Sequence, residues 1–213
     1  MAKAIIISGL LNHLSDNIIP FLDKETDVYC HTWNMDWNGR WMIKLNRYKK
    51  YCKNIYITMD VPKFDKKLYS YFYSTYRAVN MIKNIDSYEK IIKFKPNVNG
   101  DISYVGDTEF YYTKAYLQSR PLLNLVTKEE CIYGAIHYKS MDERIFTSYP
   151  LALKKMFHIL EEDFVRQLIE QDLICEQLYG KGYEGSLFWK EWANSKDIEL
   201  IQDIDLKIPY SIV

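Results

Sequence analysis

Short apolar runs recur along the first half of the chain, and each of them is followed by a polar break. The continuous run over residues 4–8 predicts a strand that is buried on both faces of a sheet. Three further strands are predicted over residues 27–31, 53–60 and 89–94, and in the second of these Ile55 and Ile57 share one face. Apolar residues at helical spacing predict helices over residues 14–21 and 64–85. The segment 32–40 is rich in Trp, Asn and Asp and is predicted to be a loop. Strands that alternate with helices indicate a mainly parallel sheet with right-handed crossovers.

The second half of the chain has a less regular pattern. Helices are predicted over residues 108–118, 151–178 and 187–193, with a break inside the second, and strands over 131–138 and 198–201. Gly180 and Gly182 mark a turn. We therefore expect an α/β fold with a single domain over residues 1–213. It should have a mainly parallel central sheet flanked by helices, a Rossmann-type nucleotide-binding start and a helix-rich C-terminal part.

Composition and charge narrow the class of partner. The 28 Lys and Arg residues balance the 28 Asp and Glu residues, so the net charge gives no long-range attraction to nucleic acid, and we expect no nucleic-acid partner. The apolar run at the N-terminus is too short to cross a bilayer, which predicts a cytoplasmic protein without a membrane span. The four cysteines form no CxxC pair, which disfavours a zinc ribbon or a redox motif.

Small and polar residues follow the first two predicted strands. In an open parallel sheet, ligands bind beyond the carboxyl ends of the strands, and the candidates for binding a nucleotide there are Ser8, Gly9, Leu10, Thr32, Trp33 and Asn34. The Trp33 ring either stacks on a base or packs its loop onto the domain. His31 is expected to be a core histidine at the end of its strand. The chain has neither GxGxxG nor GxxxxGKS/T, which disfavours a dinucleotide fold and a P-loop.

The fourth predicted strand carries lysines at its end, and polar and acidic residues follow it in the sequence. Lys93 and Lys95 are two positions apart, so their side chains share one face of a strand, where two ammonium groups could neutralise a diphosphate. The alternative is that both lysines lie on the solvated face of an edge strand. Asn97 and Asp101 follow closely and offer oxygen ligands for a divalent cation such as Mn²⁺ or Mg²⁺.

Several segments of the first half resemble one family of enzymes. The segments AIIISGLL and DVYCHTWN look like the start of the WavE-like, lipopolysaccharide-synthesis-type glycosyltransferases, whose first two strands read SGQLR and DVFIHTWD. Residues 73–77 (YSTYR) lie where that family has a helix reading SQ-x-Y-K, which adds Arg77 to the candidate nucleotide-binding residues. Residues 88–98 (YEKIIKFKPNV) are similar to the family's YDYVIRTRPDL strand. The resemblance covers residues 1–110 and implies a GT-A-like fold.

The resemblance also implies a reaction, the transfer of a sugar from a nucleotide sugar, with a UDP-sugar favoured, to a glycan or another hydroxyl acceptor. Residues 1–110 would bind the donor, and residues 111–213 would form the acceptor side. Glycosyl transfer passes through an oxocarbenium-like transition state, and Lys93, Lys95 and a divalent cation would stabilise the leaving diphosphate. An inverting enzyme also needs a base for the acceptor hydroxyl, and the candidates are Asp107, Glu109 and Glu184.

The chain departs from the family at four positions, and other classes stay open. Asn12 replaces an arginine, Lys93 and Lys95 replace two arginines, and Asn97 replaces the aspartate that acts like the metal-binding carboxylate of a DxD motif. A non-catalytic nucleotide- or sugar-binding module on the same fold would explain the two asparagines. Another α/β enzyme, such as a sulfotransferase or a nucleotidyltransferase, is a third interpretation. The turn after the first strand does not resemble the phosphate-binding loop that a sulfotransferase needs.

Overall fold

The computed structural model describes residues 3–11, 14–34, 40–96, 129, 131–137 and 140–203. In this part of the chain, seven strands form one sheet in the order β3-β2-β1-β4-β6-β5-β7. The strands are β1 (Lys3–Ser8), β2 (Thr26–Trp33), β3 (Asn54–Asp60), β4 (Lys90–Phe94), β5 (Cys131–His137), β6 (Ser140–Ser148) and β7 (Glu199–Asp203).

The sheet is mostly parallel. β1 pairs in parallel with β2 and β4, β2 pairs in parallel with β3, and β5 pairs in parallel with β7. β6 lies between β4 and β5 and is antiparallel to both. Since six strands point in one direction, the ends of β1, β2 and β4 meet on the same side of the molecule. We call the region after Ser8, Trp33 and Phe94 the carboxyl end of the sheet.

Five described helices flank the sheet: α1 (Arg40–Tyr48), α2 (Lys67–Asn80), α3 (Pro150–Phe157), α4 (Glu161–Tyr179) and α5 (Gly185–Asn194). Local chemistry explains several of their ends. α3 begins with a proline, which suits this position because an N–H in the first turn has no acceptor within the helix, and proline has no N–H. α4 begins with three acidic residues, which the helix dipole favours, and stops at Gly180 with φ +86°. None of the described helices combines the length and apolar content needed to cross a membrane.

The two sides of the sheet bury separate cores. Alternate residues of each strand point to opposite sides, so Ala4 and Ile6 pack with α2, α3, α4 and α5, on what we call the α2 side. Ile5 and Ile7 pack with α1 and with a 3-10 turn at Asp16–Phe21, on what we call the α1 side. The fold expected from the sequence, an α/β arrangement around a mainly parallel sheet, is confirmed.

Three predictions for the first half need correction. The segment 14–21 is not an α-helix, because only the 3-10 turn Asp16–Phe21 forms there, and Pro20 lacks an N–H for helical bonding. The segment 32–40 is not a loop throughout, since β2 continues to Trp33 and α1 begins at Arg40. The helix predicted over residues 64–85 is shorter and covers Lys67–Asn80.

The second half differs more from the prediction. β6 was not predicted, because its segment contains three consecutive charged residues and does not alternate between apolar and polar positions. The helical segment 151–178 is two helices, α3 and α4, which confirms the predicted break. The turn at Gly180 and Gly182 is also confirmed, since both glycines have positive φ. The helix predicted over residues 108–118 lies outside the described residues.

Candidate functional site

Backbone hydrogen bonds join the exits of β1, β2 and β4. The N–H of Gly9, after β1, donates to the carbonyl of His31 in β2 over 3.1 Å, and the N–H of Leu11 donates to the side-chain oxygen of Thr32 over 3.2 Å. The N–H of Ser15 donates to the carbonyl of Pro96, after β4, over 2.8 Å. The three exits that the sequence predicted to be neighbours therefore form one continuous surface at the carboxyl end of the sheet.

Gly9 lies where a side chain would not fit easily. Its φ is +128°, which residues with a Cβ rarely adopt. A Cβ built on Gly9 would also lie 3.2 Å from Cδ of Pro96, a close contact with a rigid ring. The glycine thus allows the chain to turn sharply after β1 while remaining against the exit of β4.

Ser8 and Thr32 hold this end of the sheet together through buried hydroxyl groups. Oγ of Ser8 lies 3.0 Å from Oγ1 of Thr75 in α2, and both side chains are buried. The hydroxyl of Thr32 accepts the N–H of Leu11, as described above. In both residues the hydroxyl is already bonded inside the fold, and a direct contact with a nucleotide stays a prediction.

The Trp33 ring packs against the α2 side of the sheet. It is 7% exposed, stacks on the Tyr73 ring with centroids 5.8 Å apart, and meets the His31 ring edge-on at 5.0 Å. Of the two roles that the sequence left open, packing is therefore the one that the described contacts favour. Stacking on a base stays a prediction for this ring.

His31 is a buried histidine with a partner on each nitrogen. Nδ1 lies 2.7 Å from Oγ of Ser74, and Nε2 lies 3.1 Å from Oδ2 of Asp60. Because a carboxylate can only accept, we assign the proton to Nε2, so that Nδ1 accepts the hydroxyl of Ser74. Burial lowers the pKa of His31 to about 4, which outweighs the opposite effect of Asp60. The expectation of a core histidine is confirmed.

Arg77 lies between two carboxylates. Its Nε is 2.8 Å from Oδ2 of Asp60, an ion-pair distance, although this N–H does not point at an acceptor well enough to count as a hydrogen bond. One of its terminal nitrogens lies 3.4 Å from Oε2 of Glu161. Arg77 thus joins the end of β3 to the start of α4. Its predicted contact with a nucleotide would compete with these two ion pairs.

Glu161 anchors the start of α4 to α2. Its Oε1 accepts Nζ of Lys63 and the hydroxyl of Tyr73, each over 2.7 Å. Lys63 also donates to the Tyr73 hydroxyl over 2.8 Å. The hydrogen bond from Lys63 is the main reason that the pKa of Glu161 is lowered, so this carboxylate is charged at neutral pH.

Lys93 is a buried lysine in the middle of the sheet. β4 lies between β1 and β6, so the alternative of a solvated edge-strand face is wrong for this residue. Its side chain is fully buried on the α2 side, and Nζ lies 4.2 Å from the centre of the Tyr71 ring. Such a distance allows a cation–π contact. Lys95 follows the end of β4 and is half-buried. The sequence suggested that both lysines would line one accessible face, and only Lys95 keeps access to solvent.

Among the predicted binding residues, a smaller set faces outward. Leu10 is 38% exposed, and Asn34 is exposed while its N–H donates to the carbonyl of Asp60 over 2.8 Å. Together with Gly9 and Lys95, they form the accessible part of the carboxyl end.

Glu184 is the described member of the predicted bases. It is exposed and directly precedes α5, and its carboxylate lies 3.5 Å from the hydroxyl of Ser186. α5 ends shortly before β7 begins, so its start points towards the carboxyl end of the sheet. The other predicted catalytic and metal-binding residues lie outside the described residues: Asn97, Asp101, Asp107 and Glu109. In the described part of the chain, no three His, Cys, Asp or Glu side chains form a group that could hold a metal ion.

A second polar cluster next to Glu184 was not predicted. Asp172 of α4 accepts Nζ of Lys66 and the hydroxyl of Tyr69, each over 2.5 Å, and it also accepts the hydroxyl of Tyr183. Burial alone would raise the pKa of Asp172, but these donors lower it. The cluster ties the start of α2 to the segment that carries Glu184. Its members are far apart in the sequence, so no local pattern could reveal it.

Comparison with known proteins identifies the fold. No protein-family model matches the sequence, and no curated protein matches it. Two crystal structures of the glycosyltransferase GlyE from Streptococcus pneumoniae TIGR4 resemble the chain, with TM-scores of 0.53 for the apo form and 0.52 for the other. They are 11% and 8% identical in sequence and match 95% and 96% of this chain. The chain spans less than half of the GlyE chain, 46% in each case. At this identity the likeness establishes the fold alone, which is a single α/β domain with a GT-A-like architecture.

Proposed function

We propose that this protein is a glycosyltransferase that transfers a sugar from a nucleotide-diphosphate sugar, with a UDP-sugar favoured, to a hydroxyl of a glycan or a small molecule. The observation that carries the proposal is the joined surface at the exits of β1, β2 and β4, on a fold that resembles a glycosyltransferase. Ligands of open α/β sheets bind at this end of the strands. The segment likeness in residues 1–110 further supports the WavE-like type.

The donor would lie along the outward-facing residues of this surface. The turn at Gly9 leaves its backbone open to a ligand, and Leu10 and Asn34 offer one apolar and one amide side chain beside it. Lys95 is the accessible cation nearest to the exit of β4, where it would neutralise the leaving diphosphate. Ser8, Thr32, Trp33 and Arg77 hold the backbone of this surface in place, whatever direct contacts they add.

A divalent cation, Mn²⁺ or Mg²⁺, fits the chemistry of the residues that directly follow this surface. Asn97 and Asp101 supply amide and carboxylate oxygens, which are the ligands that hard cations prefer. When bound, such a cation would stabilise negative charge on the diphosphate. Lys93 lies buried under the same end of the sheet, beside the Tyr71 ring, and would support this surface from within.

The acceptor hydroxyl would approach from the side of residues 111–213. Among the candidate bases, Glu184 is exposed and precedes a helix that starts near the carboxyl end of the sheet. The Asp172 cluster supports its position, because Tyr183 is the residue directly before it. Asp107 and Glu109 remain the other candidates for this role.

One specific observation favours a second function, a binding module without activity. Asn97 replaces the carboxylate that the resembling family uses at its metal site, and an amide is a weaker ligand for a cation. Hydrolysis of several nucleotide sugars, measured with and without manganese, distinguishes the two functions. Turnover supports the transferase, whereas binding without turnover supports the module.

The donor site is tested by titrating UDP and uridine into the Lys95→Met variant by calorimetry. Because methionine keeps the apolar stem but removes the charge, we expect roughly a tenfold weaker affinity for UDP and little change for uridine. Lys181→Met, which removes an exposed lysine from the turn before α5, is the matched control. Equal losses for both ligands, or no loss for either, would contradict a phosphate contact by Lys95.

A further inference from the structure

The segment from α1 to the start of β3 has an unusual charge for this protein. Residues 40–53 contain six Lys and Arg and no Asp or Glu, whereas the whole chain has as many acidic as basic residues. Lys49, Lys50 and Lys53 are exposed on the turn after α1. Arg47 is about half-exposed and pairs with Asp16 over 2.8 Å, which neutralises one of the six charges. A local positive surface therefore exists on a neutral protein.

The outer side of α1 also carries apolar side chains that do not pack against the sheet. Trp41, Leu45 and Tyr48 recur at helical spacing and are buried against the sheet. Ile43 lies on the opposite side of the helix and is 68% exposed, and its neighbour Met42 is 53% exposed. A single exposed apolar residue needs no explanation, but these two lie on a helix surrounded by cations.

The neighbouring edge strand extends this apolar surface. β3 is at the end of the sheet, and its residues Ile57 and Met59 are 43% and 47% exposed. They alternate with Tyr56 and share a side with Ile55, which packs in the core under α1. We call the following set the α1 surface: Met42, Ile43, Lys49, Lys50, Tyr51, Lys53, Ile57 and Met59.

A comparison with α4 shows that charge distinguishes the α1 surface from other exposed apolar residues. α4 exposes Ile169, Leu173, Ile174 and Leu178 on the α2 side of the sheet. Its sequence carries six acidic residues and one arginine, so an anionic surface would repel it. The α1 surface combines exposed apolar side chains with positive charge, and this combination is characteristic of helices that lie in the interface of an anionic membrane.

We infer that the α1 surface docks on an anionic lipid bilayer. Lysines 49, 50 and 53 pair with lipid phosphates, while Met42 and Ile43 enter the boundary between headgroups and acyl chains. Nucleic acid offers the same phosphate charge but no apolar layer for these two side chains. α1 runs from the carboxyl end of the sheet to its amino end, where the three lysines lie, so docking lays this side of the sheet along the bilayer surface. The inference does not depend on the proposed transferase activity, because vesicle binding is measured without a nucleotide sugar.

The test is sedimentation of the full chain with vesicles. One set is phosphatidylcholine alone, and the other contains about 30% phosphatidylglycerol, in about 0.1 M salt. We expect binding to the anionic vesicles only, and a loss of roughly tenfold for the double variant Lys49→Glu/Lys50→Glu. The affinity of the double variant Met42→Ser/Ile43→Ser for anionic vesicles should fall by a similar factor, because the variant lacks the apolar side chains that insert into the bilayer.

Matched controls lie on the other side of the sheet. Leu173→Ser/Ile174→Ser removes two exposed apolar side chains from α4, and Lys181→Glu/Lys190→Glu reverses two exposed charges around α5. Both should bind vesicles like the wild type, and circular dichroism verifies that every variant is folded. The inference is overturned if the wild type does not bind anionic vesicles, or if the controls lose as much as the α1 variants. The inference is also overturned if the protein binds duplex DNA more tightly than anionic vesicles and if Met42→Ser/Ile43→Ser leaves that DNA affinity unchanged. The α1 surface would then be a nucleic-acid surface.

Discussion

The two sides of the sheet are built differently. The α2 side carries four helices, a large core rich in aromatic rings, and the two polar clusters around Glu161 and Asp172. Within the residues that the structure describes, the α1 side carries one nine-residue helix and a 3-10 turn over a smaller core, and it exposes Met42 and Ile43. In this part of the chain, the helices of the α2 side hold the carboxyl end of the sheet in shape, while α1 leaves the side chains of Met42 and Ile43 exposed.

The largest expected effect comes from the aromatic core of the α2 side. Trp189 is 1% exposed and contacts the rings of Phe72, Phe146 and Phe157. Trp189→Ala should therefore lower the free energy of unfolding by about 3–5 kcal/mol. Trp41→Ala should cost less, because Trp41 is 9% exposed and the described core of the α1 side is smaller. Urea denaturation of both variants measures the difference, and equal costs would mean that the two cores are equally well packed.

The next effect is a pH dependence that originates on the α2 side. Burial lowers the pKa of His31 to about 4 in the folded protein, while a histidine in the unfolded chain titrates near 6.5. Stability is thus full above pH 6.5 and falls as the pH drops from 6.5 to 4, because only the unfolded state gains a proton there. Between pH 6.5 and 4, the free energy of unfolding should fall by about 3 kcal/mol. Carboxylates such as Glu161, whose pKa is lowered in the fold, stabilise the fold down to the acid end of this window, and their contribution is lost as the pH falls below about 4.5.

Two variants verify the origin of this pH dependence. His31→Gln should flatten the dependence of the free energy of unfolding between pH 6.5 and 4, measured by urea denaturation at several pH values. His158→Gln is the matched control, since burial also lowers the pKa of His158, but its side chain is less enclosed. If both variants keep the wild-type slope, or if only His158→Gln changes it, the buried His31 is not the source.

The smallest expected effect compares one carboxylate from each side of the sheet. The side chain of Asp172 is 6% exposed and accepts three donors, whereas Asp16 is 48% exposed and pairs with Arg47. Asp172→Asn should cost about 2 kcal/mol, because a neutral amide replaces a buried carboxylate that accepts Lys66, Tyr69 and Tyr183. Asp16→Asn should cost about 0–1 kcal/mol, as exposed ion pairs do. Thermal or urea unfolding measures both, and an equal cost would show that the Asp172 cluster does not hold α2 and α4 together.

Local signals predicted much of the fold and part of the candidate site. The apolar run at residues 4–8 indicated β1, which is buried on both faces, and the alternation at residues 53–60 indicated β3, in which Ile55 packs against the core of the α1 side. The Ser8-Gly9 turn was identified from its residue types, and its contact with Pro96 explains why glycine is needed. α1 was not predicted, although Trp41, Leu45 and Tyr48 have helical spacing, and the loop predicted over residues 32–40 ended where α1 begins.

The partners of the candidate residues could not be predicted in the same way. Nothing near Arg77 in the sequence indicates that it meets Asp60 and Glu161, since the three residues come from different elements. The sequence predicted correctly that Lys93 lies on a strand, but the predicted exposure of its side chain was wrong. That exposure depends on β6, which pairs with β4 and is distant in the sequence. The Asp172 cluster joins residues more than 100 positions apart, and no pattern of that range can be seen in a single sequence.

The sequence by itself determined the alternation of strands and helices, the position of the tight turn at Gly9, and the ordering of polar residues after each strand. These features follow from backbone geometry and from the period of apolar positions, which act over a few residues. Only the tertiary structure decided which of those polar residues face outward. Thr32, Trp33, Arg77 and Lys93 became buried or paired because helices and strands from elsewhere in the chain pack over them, and a buried polar group must find a partner.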